Sequence, residues 1–362
     1  MPLVSSPLNT EAGPVHPDGR PLRIAITVDP EIPVPPKHYG GIERIVDLLV
    51  RGLAGRGHEV TLFANPASDV PCRLLPYTGL RSRSAADLCR NLWFTSSQIL
   101  RCRPDVVHSF GRLAYLLPVL PLKIPKIMSY QRIITERSVA WAERLARGTL
   151  HFTGCSGHLI RNFERRKNWH VVYNAVPAGA YRFNPAVESD APLIFLGRIE
   201  EIKGPHLAIE VARRSGRRLI LAGNIPPGHE SFFERQVKPF IDGDRVRYAG
   251  PVGDIEKNEL LGRAAALLMP ILWDEPFGIV MAEALACGTP VIGLKRGSVP
   301  EVVQHGVNGF VCESVEEMAA AAPMLSRIGR GACRLIMEER FSDRALVNSF
   351  EQMYREIAFR LK

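Results

Sequence analysis

In the stretch Asp274 to Gly293, DEPFGIVMAEALACGTPVIG, two glutamates are separated by seven mostly apolar residues. Carboxylates at Glu275 and Glu283 could act as acid and base, or could hold ligand hydroxyl groups. Pro276 suits the first turn of a helix beginning beside Glu275, and Gly288 suits a stop after about Cys287. Glu275 then precedes the helix and Glu283 lies about two turns inside it, roughly 12 Å along the axis at about 1.5 Å per residue. A helix start leaves N–H groups unpaired, here those of about Phe277 to Val280, and these form an anion cradle between the carboxylates.

A second charged set follows the run LIFLG. In Gly197-Arg198-Ile-Glu-Glu-Ile-Lys203-Gly204, Arg198 stands just beyond a strand and Lys203 opens the next helix. Two cations converging on a helix N-terminus suit a diphosphate. Carboxylate, anion cradle and carboxylate in that order would hold an elongated ligand with hydroxyls at both ends and phosphate between, the layout of a nucleoside diphosphate sugar. Taken singly, Glu283 reads as a satisfied core glutamate, Glu275 as a charged residue near a helix start, and the basic pair as solvated surface.

In the first half, VPPKHYGGIERI places Gly40-Gly41 between the first strand and the first helix, where small residues let backbone approach a ligand or simply make a tight turn. GxGxxG is absent, so the dinucleotide fingerprint is not there. His108 ends the run DVVHSF and is the histidine best placed for a cleft, although a lone strand-end histidine is more often structural. Asp242-Gly-Asp244 precedes a strand and reads as a turn, with no metal implied.

The elements that position these residues alternate along the chain. Strand-like runs are RIAITVD (23–29), EVTLFA (59–64), DVVHSF (105–110), PKIMSY (125–130), LHFTGCS (150–156) and HVVYNAV (170–176). After a Pro-rich break at 177–192 come LIFLG (193–197), RLILAG (218–223), VRYAG (246–250), ALLMP (266–270), PVIGL (290–294) and GFVC (309–312). A helical pattern at GIERIVDLLVRGLAGRG keeps Ile42, Ile45, Val46, Leu49 and Leu53 on one face. Alternation of this kind predicts parallel sheets with crossover helices. Two doubly wound Rossmann-like domains follow, at 22–178 and 179–341, with a last helix at 342–362 packing back on the first. Residues 1–21 read as a disordered tail without signal-peptide character.

The 362 residues exceed what one core usually organises, and 46% apolar with 23% charged residues is the composition of a globular protein. Seven cysteines without CxxC spacing predict reduced thiols and a cytoplasmic location. A net charge of +9 points to an anionic partner. Arginines concentrate in 130–148 and 158–168, which as an expectation allows peripheral contact with anionic lipid or an anionic acceptor, against the plainer reading of solvated helix faces. No aromatic-interleaved basic stripe supports nucleic acid as the partner.

Together EPFG…EALACGTPVI, GRIEEIKG, YGGIER and GSVPEVVQHGVNGF resemble the retaining glycosyltransferases of family 4, from Leu22 to the end of the chain. KGPHLAI and GLKRGSVPEV resemble the branch that includes antibiotic-pathway sugar transferases. The resemblance implies a GT-B fold, α/β, with two Rossmann-like domains facing across a cleft. It implies sugar transfer from a nucleotide donor, most simply a UDP-sugar, to an acceptor hydroxyl with retention, without metal or other cofactor. Arg198 and Lys203 would hold the diphosphate, Glu283 the ribose hydroxyls, and Glu275 the donor sugar, beside backbone N–H groups of Phe277, Gly278 and Ile279. Gly40 and Gly41 would let the first domain close over the phosphates, and the base would rest near Gly223 and Pro251 to Val252. The family often has His-x-His where this chain has His108-Ser-Phe110, and His108 matches the first histidine rather than the sugar-touching second. A GT-B epimerase or phosphorylase and a non-catalytic nucleotide-sugar-binding protein are the competing readings.

Overall fold

The computed structural model describes residues 20–37, 40–132 and 134–360. The chain divides into two compact units, one made of residues up to 130, 135–153 and 347 onward, the other of 131–134 and 154–346. Of the tail expected at 1–21, residues 1–19 lie outside the described residues, as do His38, Tyr39 and Ile133.

The first unit runs through β1 (Arg23–Thr27), α1 (Gly41–Gly55), β2 (Glu59–Ala64), β3 (Arg73–Pro76), α2 (Ala85–Cys102), β4 (Val106–Ser109), β5 (Lys126–Tyr130), α3 (Glu136–Ala146) and β6 (Leu150–Gly154). A short helix α4 (Gly157–Ile160) and β7 (Trp169–Val171) follow, and the strand order of this sheet is β3-β2-β1-β4-β5-β6-β7. β1 lies parallel to β2, from Arg23 opposite Glu59 to Thr27 opposite Phe63, and parallel to β4 on its other side. The winding therefore reverses between β1 and β4, where ligands of open α/β sheets gather.

Helix α1 forms because its apolar residues recur at helical spacing, and Ile45, Val46, Leu49 and Leu53 are all buried. It ends at Gly55, and Gly57 turns the chain at φ +81°. A Cβ on Gly52 would lie 2.3 Å from Val347, so α1 approaches helix α12 (Asp343–Arg360) closely at this point. The expected strand at 170–176 is only three residues long, since Val176 leaves the sheet to bridge Ser342.

The second unit runs through β8 (Leu193–Leu196), α5 (Pro205–Ser215), β9 (Leu219–Ala222), α6 (Glu230–Gln236), β10 (Val246–Gly250), α7 (Asp254–Arg263), β11 (Ala266–Met269), α8 (Ile279–Ala286), β12 (Val291–Leu294), α9 (Val299–Val302), β13 (Gly309–Cys312), α10 (Val315–Ala321) and α11 (Arg330–Arg340). Its sheet has the order β10-β9-β8-β11-β12-β13, so the reversal falls between β8 and β11. Continuous burial of β11 and β12, with α8 buried from Met281 to Ala286, explains the long apolar stretches: both faces of this parallel sheet are covered. Among the described residues no helix is long and apolar enough to cross a membrane.

Candidate active site

The charged residues of the second unit collect at the carboxyl ends of β8 and β11, on either side of the switch point. Gly197 follows β8, and the chain enters a turn of 3₁₀ helix at Glu201–Lys203. Gly204 follows at φ +75°, and a Cβ there would sit 2.0 Å from the Pro270 carbonyl oxygen. Only glycine lets the turn press against the end of β11. Ile202 reinforces the contact by accepting the Leu272 N–H at 2.8 Å. Pro205 then opens α5, so Lys203 stands two residues before the helix rather than inside it.

This turn carries Lys203 onto Glu275. The ammonium pairs with Glu275 Oε2, and the Trp273 indole N–H donates to the same oxygen at 3.0 Å. Lys203 Nζ also lies 4.8 Å from the centre of the Trp273 ring, a cation–π contact. Glu275 is fixed from behind as well: its carbonyl accepts the Ser298 N–H at 3.0 Å, and Gly297, at φ +54°, passes so close that a Cβ would be 2.4 Å from the Glu275 nitrogen. Arg198 is half-exposed and ion-paired at 2.7 Å with buried Glu200.

Helix α8 differs from expectation. It begins at Ile279, capped by Gly278 at φ +71°, and ends at Ala286. Pro276 and Phe277 belong to the preceding loop because the left-handed cap at Gly278 breaks the helical run. The Phe277 ring is buried 5.7 Å from that of Phe341, and its carbonyl accepts from Ser298 Oγ at 2.8 Å, which makes it an anchor for the loop. Ile279 and Val280 carry the first-turn N–H groups that an α-helix leaves without an internal partner. Glu283 is the fifth residue of α8, little more than one turn inside. Its Oε1 accepts from Tyr181 Oη at 2.7 Å and from Lys257 Nζ at 2.6 Å.

Gly223 is at φ +144°, where a Cβ would lie 1.8 Å from the Gly197 carbonyl oxygen, so the ends of β8 and β9 need it small. Its N–H donates to Gly250 and its carbonyl accepts from Tyr248 Oη, both at 2.8 Å. Protein partners thus already engage both backbone groups of Gly223. Val252 is half-buried in the loop between β10 and α7. Asp242 Oδ1 accepts the N–H groups of Asp244 and Val246, each at 3.0 Å, which is the geometry of a turn.

In the first unit Gly40 precedes α1 and Gly41 is its first residue. The φ of Gly40, 178°, is open to any residue. Crowding explains the glycine: a Cβ would meet Pro36 at 2.7 Å and Glu43 at 2.8 Å.

His108 corrects an expectation. Instead of facing a cleft it is wholly buried, with Nδ1 2.6 Å from Tyr354 Oη and Nε2 2.6 Å from Ser129 Oγ. The rings of Phe110 and Phe350 lie 4.1 and 4.9 Å from it, centre to centre. Burial lowers its pKa to about 3, so it is a neutral core histidine with both nitrogens committed.

Sequence reasoning missed Trp273, Glu200, Tyr181 and Lys257. Trp273 carried a signal, as an aromatic two residues before Glu275 in the same loop; the others carried none.

Comparison with known proteins agrees with this architecture. Residues 180–340 match the family described as glycosyl transferases group 1, and residues 39–179 match glycosyltransferase family 4. Residues 39–340 are thus similar, half by half, to these two glycosyltransferase families. The two family matches meet at 179/180, whereas the compact units divide at 153/154.

Among particular relatives, D-inositol 3-phosphate glycosyltransferase 2 of Catenulispora acidiphila is 27% identical over 75% of this chain and 77% of its own length. N-acetyl-alpha-D-glucosaminyl L-malate synthase of Bacillus anthracis is 27% identical, over 47% of this chain and 46% of the synthase. The chain thus spans about half the length, or less, of several curated relatives that it matches. Among solved structures, AviGT4, a glycosyltransferase involved in avilamycin A biosynthesis, superposes with a TM-score of 0.67 at 24% identity, covering 93% of this chain and 98% of that one. HepE of Anabaena in complex with UDP gives 0.71 at 18% identity, covering 92% and 100%. The fold is GT-B.

Proposed function

We propose that this protein transfers a sugar from a nucleoside diphosphate donor, a UDP-sugar, to an acceptor hydroxyl with retention of anomeric configuration. The observation that carries the reading is the convergence of Lys203, Glu275 and Trp273, with Arg198 nearby in sequence, at the ends of β8 and β11 ahead of the α8 N-terminus. HepE, a structural neighbour, was solved with UDP and with UDP-glucose, which supports the donor class.

The chemistry asks for stabilisation of a departing diphosphate, an electrostatic task. The cations of Arg198 and Lys203 and the N–H groups of Ile279 and Val280 supply it from protein groups, so the reading needs no metal. Glu275, held by Lys203 and Trp273, positions the sugar; Glu283 takes the ribose. The bond from the anomeric carbon to the phosphate oxygen breaks with its electrons going to the diphosphate. The acceptor oxygen bonds to that carbon from the same face, and its proton passes to the leaving phosphate. The likeness to AviGT4 supports placing the chain in the antibiotic-pathway branch as part of the same proposal.

A membrane contact belongs to this reading too. Residues 81–147 carry twelve Lys and Arg against four Asp and Glu, nearly all of the net charge. Right-handed crossovers place α2 and α3 on one face of the first sheet. There Trp93 is 73% and Trp141 53% exposed, Trp141 between Arg137 and Arg144 at helical spacing. Interfacial tryptophan among arginines suits anionic lipid.

The test is a thermal-shift screen against nucleotide sugars, followed by donor hydrolysis and NMR assignment of the product anomer. Binding to none of them, or an inverted product, refutes the transfer reading; isomerisation of the donor without acceptor favours the epimerase. Vesicle co-sedimentation that does not depend on anionic lipid refutes the membrane contact.

A further inference from the structure

Glu283 is held in an asymmetric way. Tyr181 Oη and Lys257 Nζ both reach Oε1, at 2.7 and 2.6 Å, while Oε2 has no hydrogen-bond partner among the described residues. The side chains of Lys257 and Glu283 are each only 12% exposed. A carboxylate on a flexible stem rotates freely unless donors fix its plane, and two donors from different elements on one oxygen do so.

The two donors are fixed relative to each other. Asn258, next to Lys257 on α7, donates from Nδ2 to the Ala180 carbonyl at 2.8 Å and accepts the Arg182 N–H at Oδ1 at 3.3 Å, so it clasps the backbone on both sides of Tyr181. Arg334 adds a 3.0 Å bond to the Tyr181 carbonyl. Lys257 Nζ lies 5.7 Å from the Tyr181 ring centre and 3.1 Å from Asp254, the first residue of α7. Asp254 follows the Pro251–Val252 loop closely, so one ammonium links the end of that loop to Glu283.

We infer that Tyr181 and Lys257 are positioning residues for the nucleotide: they pin Oε1 of Glu283 and present Oε2 to the ribose hydroxyls. The inference rests on the reading of Glu283 as the ribose contact. Neither residue touches the ligand; without them the carboxylate swings, and selectivity for the ribose falls while the fold stays.

The test measures, by calorimetry, whichever of UDP, GDP and ADP binds the protein most tightly, together with its 2′,3′-dideoxy counterpart. Wild type should prefer the ribonucleotide at least about tenfold, a usual return for a hydrogen-bonded hydroxyl. Glu283→Ala should erase the preference. Tyr181→Phe and Lys257→Met should each reduce it at least about threefold, with unchanged thermal midpoints. Tyr181→Phe removes a single oxygen and keeps the test valid where Lys257→Met fails to fold. If Glu283→Ala erases the preference and Tyr181→Phe keeps it in full, the positioning role is wrong although the ribose reading stands. If Glu283→Ala leaves the preference intact, or no diphosphate binds, the ribose reading itself falls and takes the inference with it.

Discussion

Lys203 and Glu275, 72 residues apart, are ion-paired with each other, and Trp273 donates to the same carboxylate oxygen. The cation assigned to the diphosphate and the carboxylate assigned to the sugar are therefore one unit. A diphosphate drawn to Lys203 competes with Glu275 for the ammonium, and Trp273 holds the carboxylate in place as that contact loosens. Lys203→Ala should lower kcat/KM at least about a hundredfold, the scale of losing one charge-stabilising donor. Trp273→Phe keeps the ring beneath the ammonium but loses the indole N–H, so it should cost less. Steady-state kinetics check both, and near-wild-type turnover of Lys203→Ala would refute the diphosphate assignment.

The turn before α5 makes a separate claim. Gly204 combines φ +75° with a Cβ position 2.0 Å from the Pro270 carbonyl oxygen, so Gly204→Ala both strains the backbone and pushes the turn from β11. Chemical denaturation should show a loss of at least about 2 kcal/mol, and donor affinity should fall because Lys203 moves with the turn. Gly179→Ala, where a Cβ has open space, is the control and should be nearly silent.

These placements show what a sequence can reveal. β2, β10 and β13 occupy the spans expected because β-branched and aromatic residues stand between clear turns. β3, Arg-Leu-Leu-Pro, was invisible: four residues with a proline carry no periodicity, and pairing with β2 creates the strand. That Lys203 and Glu275 would come together at the ends of β8 and β11 was legible because loops at a switch point of an open sheet converge there. Tyr181 and Lys257 were not, since they reach Glu283 across 102 and 26 residues of chain and only the folded approach of α7 to α8 selects them. His108 misled because strand-end position does not say what covers the side chain, and α12 supplies that cover with Phe350 and Tyr354.

Burial of neutral His108 should make the protein acid-sensitive in a defined range. Its folded pKa of about 3 lies below the ordinary 6.5, so as pH falls below 6.5 the unfolded chain takes up a proton that the folded chain refuses. Stability should fall by about 1.4 kcal/mol per pH unit between those values from this group, and the loss should stop below the lower one. Urea midpoints from pH 7 to 3 for wild type and His108→Asn check it. The variant, less stable at neutral pH, should show a shallower decline; parallel curves would mean that the histidine is protonated in the folded protein.

Glu351 on α12 works in the opposite sense and at lower pH. Burial disfavours its charge, but hydrogen bonds from Arg56 and Arg355, with the neighbouring charges, outweigh that and hold its pKa down to about 2. Arg56 reaches it at 2.5 Å and Arg355 at 2.8 Å, while His58 Nε2 lies 3.3 Å away. Since His58 Nδ1 accepts the Leu22 N–H at 3.1 Å, Nε2 of the neutral ring carries the proton. A carboxylate whose pKa falls on folding contributes stability above its unfolded value of 4.5, and that contribution is lost as pH drops through about 2. Glu351→Gln should therefore destabilise the protein at pH 7 by about 1–3 kcal/mol, the range for hydrogen bonds to charged groups. The gap from wild type should stay constant down to pH ~4.5 and then close as wild type is protonated. Because His108 acts mainly above that point and Glu351 below it, denaturation of the two single variants should separate the contributions. A gap for Glu351→Gln that widens from pH 7 to 5 instead would show that the cluster draws on a charged His58.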